Sequence, residues 1–290
     1  MEIISFLHGG NIVTHIDYAM SNEDYHDKDK HPHISSTDIK TVEKTSPLHW
    51  ALKQSLPKKK PTPAMLMGSA VHAMISEPDK ALFVRGLPNR LKRKEWAKME
   101  EEAAAKGQTL LTEGEYDEAR RISDTALETC DLLRSALSLK DMIVEASIFT
   151  QCMHSDLKIK CRPDMMSNEL GYMWDIKTTT DNTPEGFARE VKRWGYDIQA
   201  AFYLHVAHCA GLDVNQFAFF AVDKETGICV AYELSELYMK YAEKRMFRVL
   251  DQLVEAEEAN TLTTGWDSLN TIHLPAYLED EYWDQNDTPF

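Results

Sequence analysis

Cys161-Arg162-Pro163-Asp164, followed by Trp174-Asp175-Ile176-Lys177, is the stretch on which the fold turns. The two aspartates stand eleven residues apart, in what reads as a β-hairpin. Side chains alternate between the faces of a strand, so Asp175 and Lys177 project one way while Trp174 and Ile176 project into a core. The preceding run, Leu157 to Asp164, alternates apolar with charged residues and puts Asp164 on the polar parity of Lys158, Lys160 and Arg162. Two carboxylates and a lysine are thereby expected at one edge.

That set suits phosphodiester hydrolysis. The scissile phosphate must lose charge, water must lose a proton, and the leaving oxygen must be stabilised. A hard divalent cation held by one or two carboxylates serves all three needs. Asp164 and Asp175 are the candidate ligands, and Lys177 is the candidate to orient or help deprotonate the water and to offset charge building on phosphorus.

Two further blocks are helical in spacing. Gly68 and His72 are four residues apart in the apolar stretch from Ala64 to Ile75, so they share a face. A glycine inside a helix costs about 1 kcal/mol relative to alanine, which implies a close approach there. On the residues alone His72 reads as a hydrogen-bonded core histidine or as a ligand. Gln199 and Tyr203 repeat the spacing on a helix expected at 197–210, where Tyr203 could equally pack in the core. Glu145, in a strand just before the hairpin, is either a further acid near the metal or a solvated carboxylate.

With Pro163-Asp164 and Asp175-Ile176-Lys177 as the motif, the chain resembles the PD-(D/E)xK nucleases. Within them it is most similar to the RecE type of phage recombination exonuclease (exonuclease VIII), related to lambda exonuclease and RecB nuclease domains. The resemblance runs over most of residues 35–260 and includes Gly68-Ser69-Ala70-Val71-His72 and Gln199-Ala200-Ala201-Phe202-Tyr203. It implies a restriction-endonuclease-like α/β core, a central mixed sheet flanked by helices, with an N-terminal helical elaboration. It also implies a Mg²⁺-dependent, ATP-independent exonuclease that digests one strand of linear double-stranded DNA from its 5′ end. The 3′ overhang left would serve a RecT-type single-strand annealing partner. By the same resemblance His72 becomes a metal ligand, joined by the backbone carbonyl of Ile176, and a histidine in the set favours Mn²⁺ as a substitute. Gln199 and Tyr203 would position DNA, and a homo-oligomeric ring, a tetramer by preference, would encircle it. A structure-specific endonuclease of the same fold, or a catalytically silent DNA-end binder, are the alternatives.

The net charge of −15 opposes DNA binding, since duplex affinity comes largely from lysine and arginine on phosphates. Its distribution matters more: residues 251–290 have no lysine or arginine and hold ten acids, while basic groups cluster at 58–60, 90–94, 158–162 and 192–193. The cluster at 158–162 adjoins the proposed metal site. The five cysteines show no C-x-x-C spacing, which argues against zinc or an iron–sulfur cluster and for reduced thiols in the cytoplasm. No apolar run is long enough to span a membrane.

Along the chain, 1–34 reads as a flexible leader, 35–260 as the nuclease domain and 261–290 as an acidic, aromatic tail that docks on a partner or packs back. Helices are expected at 36–56 with an interruption near Pro47, and at 64–77, 184–193, 197–210 and 235–259. Those at 90–106 and 113–137 would arch over the cleft. Strands are expected at 143–151, 156–165, 171–178, 216–222 and 228–234.

Overall fold

The computed structural model describes residues 14–57, 60–259, 261–264 and 271–272. Its elements run β1 (His15–Asp17), α1 (Asn22–Tyr25), α2 (Ser36–Lys44), α3 (Pro47–Gln54), α4 (Pro63–Ser76), β2 (Phe83–Arg85), α5 (Arg93–Ala104) and β3 (Thr109–Leu111). They continue with α6 (Glu113–Thr129), α7 (Asp131–Leu137), β4 (Ile143–Val144), β5 (Ser147–Gln151), β6 (Lys158–Cys161), β7 (Met165–Ser167) and β8 (Tyr172–Thr179). After these come α8 (Pro184–Trp194), α9 (Tyr196–Cys209), β9 (Gln216–Asp223), β10 (Cys229–Glu233) and α10 (Glu236–Glu258).

Strand β8 is the centre of a five-stranded mixed sheet, order β10-β9-β8-β7-β4, in which β8 and β9 run parallel and the other pairs antiparallel. Parallel neighbours need a long crossover, here supplied by α8 and α9. Alternation along the strands divides the core in two. Trp174, Ile176, Ala218, Phe220 and Val222 belong to a cluster with Val71 of α4 and Ala119 and Ile122 of α6. Met173, Phe217, Phe219 and Ala221 belong to another with Ile198, Phe202 and Val206 of α9 and Met246 and Val249 of α10. Both faces are therefore covered by helices, as the α/β class requires.

The strands expected at 143–151 and 156–165 each break in two, and they break side by side. Residues 143–144 and 165–166 pair as β4 and β7 within the main sheet, whereas 147–151 and 158–161 pair as β5 and β6 in a second sheet, order β1-β5-β6. Pro163 cannot donate to a ladder, and opposite it Glu145 takes a left-handed backbone with φ of 55°, its N–H held by the Asp164 carbonyl at 3.1 Å. The chain crosses from one sheet to the other at the two residues whose carboxyls matter most.

Several expectations are corrected. Residues 1–13 of the expected leader lie outside the described residues, but 14–34 are folded onto the domain rather than loose. β1 pairs with β5, and Ile34 bridges to Ile159. Lys160, expected on the polar face beside the metal, is 1 % exposed and donates to the carbonyls of Tyr25 (2.6 Å) and His31 (3.2 Å), with the Tyr25 ring beneath it. A buried ammonium needs such partners, so this cation anchors the N-terminal segment and is not presented to DNA. Buried Asp38 ties the same segment to α2 and α3, accepting from Lys28, Ser35, Trp50 and Gln54. The helix expected at 113–137 is split at Cys130, and α6 is no arch, because Ala119, Ile122 and Ala126 pack it against α4. The acidic tail's Trp266, Tyr277, Tyr282 and Trp283 lie outside the described residues.

Candidate active site

The crossover between the sheets opens into a cleft of about 960 Å³, lined by Gly68, His72, Glu145, Asp164, Lys177 and Tyr196 among others. One wall comes from Tyr18 to Glu23, so the N-terminal segment belongs to the cleft as well as to the fold. Phe83 and Thr109, of the small parallel β2–β3 pair, line it too.

Helix α4 brings His72 in against β8. A Cβ on Gly68 would come within 3.0 Å of Thr178 Oγ1, which is the close approach that the helix-interior glycine permits. One turn on, His72 Nε2 stands 3.0 Å from Asp164 Oδ2 and 3.5 Å from Glu145 Oε1. These three side chains offer donor atoms that all lie within 4.8 Å of one another. Asp164 Oδ2 also accepts the Ile176 N–H at 2.6 Å, a bond available because β7 ends before reaching that level of β8. Glu145 Oε2 lies 2.7 Å from Arg162 Nε, while the Arg162 guanidinium donates to the carbonyls of Met20 and Ser21.

Asp175 stands apart from this trio. It is 2 % exposed, turned to the α9 side, with Oδ1 accepting from Gln199 Nε2 at 2.8 Å and Oδ2 paired with the Lys177 ammonium. The Lys177 ammonium lies 4.8 Å from the centre of the Tyr196 ring, the first residue of α9. Gly195, at φ 67°, ends α8 and starts α9 in a turn that glycine adopts without strain, and this turn aims Tyr196 into the cleft.

The electrostatics are those of crowded acids. Burial, then the neighbouring Asp164, pushes Glu145 up to about 7, and the same two causes push Asp175 up to about 6. Burial opposes charge on His72, but Asp164 and Glu145 outweigh it and raise the imidazole to about 9. Lys177 likewise is raised despite burial, chiefly by Asp175 and Asp164. A proton on His72 thus occupies the place where positive charge is wanted. Nε2 of His72 is also buried with no well-directed hydrogen bond. Hard oxygens around such a point fit a divalent cation held by Asp164, Glu145 and His72.

Set against the sequence, the structure brings His72, Glu145 and Asp164 together with Lys177, and it moves Glu145 from the margin to the middle. Gln199 meets Asp175 rather than the open cleft. Tyr203 is buried, its ring 6.0 Å from that of Phe217, and is not among the residues lining the cleft. Tyr196 was missed, though its position three residues before Gln199 puts it on the same helix face.

The fold and this site define a nuclease-like protein of the PD-(D/E)xK class. Residues 35–264 match the model of the PDDEXK-like domain of unknown function (DUF3799), and the chain belongs to that family. The fold is similar to the crystal structure of a "Putative exonuclease" from Eubacterium rectale, at TM-score 0.58 and 15 % identity, covering 91 % of this chain and 98 % of that one. Rai1 from Scheffersomyces stipitis, solved with (3'-NADP)+ and calcium, matches at TM-score 0.26 and 13 % identity over 67 % of this chain and 59 % of that one, too weakly to carry an argument. No curated protein matches the chain.

Proposed function

We propose that the chain is a Mg²⁺-dependent, ATP-independent exonuclease that degrades one strand of linear double-stranded DNA from the 5′ end and leaves 3′ overhangs. The observation that carries this reading is the meeting of His72, Glu145 and Asp164 beside Lys177 in an open cleft of a PDDEXK-like domain. A bound divalent cation supplies a water of lowered pKa and neutralises charge on the scissile phosphate. Asp164, Glu145 and His72 hold it, with the Ile176 carbonyl as the expected backbone ligand. Lys177, favoured as an ammonium by Asp175 and Asp164, supplies a fixed positive charge toward the phosphate and orients the water. Gln199 holds the Asp175 carboxylate, which in turn holds Lys177, so it is a positioning residue for the reaction. Phosphate contacts from Tyr203 would need it to leave the core, and we assign it packing.

Polarity, a tetrameric ring around DNA, hand-off to a RecT-type annealing protein in the cytoplasm, and Mn²⁺ as a substitute extend this reading from the family resemblance. Among the described residues no helix is long and apolar enough to cross a membrane. The test is digestion of a linear duplex labelled separately at each 5′ and 3′ end, with Mg²⁺ or EDTA and a closed circle as control. Mg²⁺-dependent early release of the 5′ label with the circle intact is expected. Cutting of the circle would make the protein an endonuclease, and end binding without release under any divalent cation would make it a binder.

A further inference from the structure

Although the cysteine spacing in the sequence argues against zinc, the fold brings three donors, two thiols and an imidazole, together at the other end of α9 from the carboxylates. Cys152 follows β5 directly, and His205 and Cys209 lie one turn apart on α9. His205 Nε2 is 3.1 Å from Cys152 Sγ and 3.6 Å from Cys209 Sγ, and all three atoms lie within 4.8 Å of one another. The two cysteines are free and buried, the histidine half-buried. His205 and Cys209 sit six and ten residues beyond Gln199 on one helix, roughly 9 and 15 Å along its axis, so this cluster is separate from the cleft.

A tetrahedral zinc ion with bonds of about 2.3 Å to sulfur and about 2.0 Å to nitrogen places those two ligand atoms about 3.6 Å apart. The Cys209 separation matches this, and the Cys152 separation would have to open by about half an ångström. A core thiol ordinarily faces apolar groups, whereas here both sulfurs face one imidazole nitrogen. The ring is fixed edge-on to Phe247 at 5.1 Å, and the Met153 N–H donates to Cys209 Sγ at 3.5 Å, the kind of surrounding contact that stabilises a ligating thiolate. Ser155 Oγ is buried beside the Cys152 thiol with no other partner, a polar atom that a metal-bound water would satisfy.

We propose that Cys152, His205 and Cys209 bind a zinc ion, with water in the fourth position, that fastens the β5–β6 turn to the C-terminal end of α9. Loading releases the thiol protons to solvent. Because α9 also carries Gln199 and Tyr196, the ion would brace the helix that positions Asp175 and Lys177.

The experiment is Co²⁺ titration of the chelator-stripped full chain, followed by Zn²⁺ competition. Expected is a thiolate-to-cobalt charge-transfer absorption saturating at one ion per chain, bleached by Zn²⁺, retained in His72→Ala and lost in Cys209→Ser. Should Cys209→Ser fail to fold, alkylation of the native chain with peptide mapping decides, since bound Zn²⁺ must protect Cys152 and Cys209. Absence of the charge-transfer band, alkylation at the metal-free rate, or recovery of the two thiols as a disulfide that holds no metal would overturn the proposal. The readout is independent of nuclease activity, so failure of the site in the cleft leaves it standing.

Discussion

Glu145 carries a left-handed backbone that a residue with a side chain adopts at a cost of order 1–3 kcal/mol, and such strain persists where surrounding structure over-determines it. Here the Asp164 carbonyl, Arg162 and His72 hold it in place. Asp164→Asn and Lys177→Ala are expected to reduce hydrolysis at least about 100-fold with unchanged circular dichroism, as losses of transition-state charge stabilisation do. Retention of full activity in either would sink the site. Gln199→Leu should cost about 10- to 100-fold in activity with little change in duplex binding, since it releases Asp175 without touching DNA; a filter-binding assay beside the rate separates the two. Gly68→Val forces Thr178 aside and should destabilise the chain by about 1–3 kcal/mol in urea unfolding while displacing His72.

At the scale of elements, the segment from β1 to Ile34 is held by one buried ammonium and by an aromatic cluster around Phe149 that includes His31 and His33. Burial, then the charge of Lys160, presses His33 from 6.5 to about 3. Its neutral form is the folded form, so between those two values the unfolded chain takes up the proton first and stability falls as pH falls. Melting temperature should therefore drop as pH is lowered from about 6.5 toward 3, and His33→Asn should flatten the slope in that window; equal slopes in both proteins would remove His33 as the cause. Deleting residues before 35, although the family match begins there, should lower the melting temperature and reshape the cleft, because Tyr18 to Glu23 form part of its wall.

For the whole molecule, the acids that crowd the cleft are stabilised by whatever positive charge enters it. Mg²⁺ or Mn²⁺ should raise the melting temperature of the native chain and not that of Asp164→Ala, with a rise that grows with the logarithm of cation concentration above the dissociation constant. EDTA should abolish hydrolysis reversibly. Much of the excess negative charge lies late in the sequence, with ten acids and no lysine or arginine from 251 onward.

Features that depend on backbone repeats were legible in the chain alone. The period of two made β8 legible from Trp174-Asp175-Ile176-Lys177, and the period near four made α4 and α9 legible and paired Gly68 with His72. The sequence also set Asp164 near Lys177, because a short hairpin keeps them close, while Asp175 turned to Gln199 and stands apart from the trio around Asp164. Distance between residues remote in sequence is set by how elements pack, and packing is a property of the folded chain. It broke two strands at Glu145 and Pro163, committed Gln199 to Asp175, and buried Lys160 under the N-terminal segment. It also brought Cys152 to His205 and Cys209 across more than fifty residues of chain. None of these has a local signature, since each follows from which faces could bury their apolar groups together while keeping every buried charge partnered.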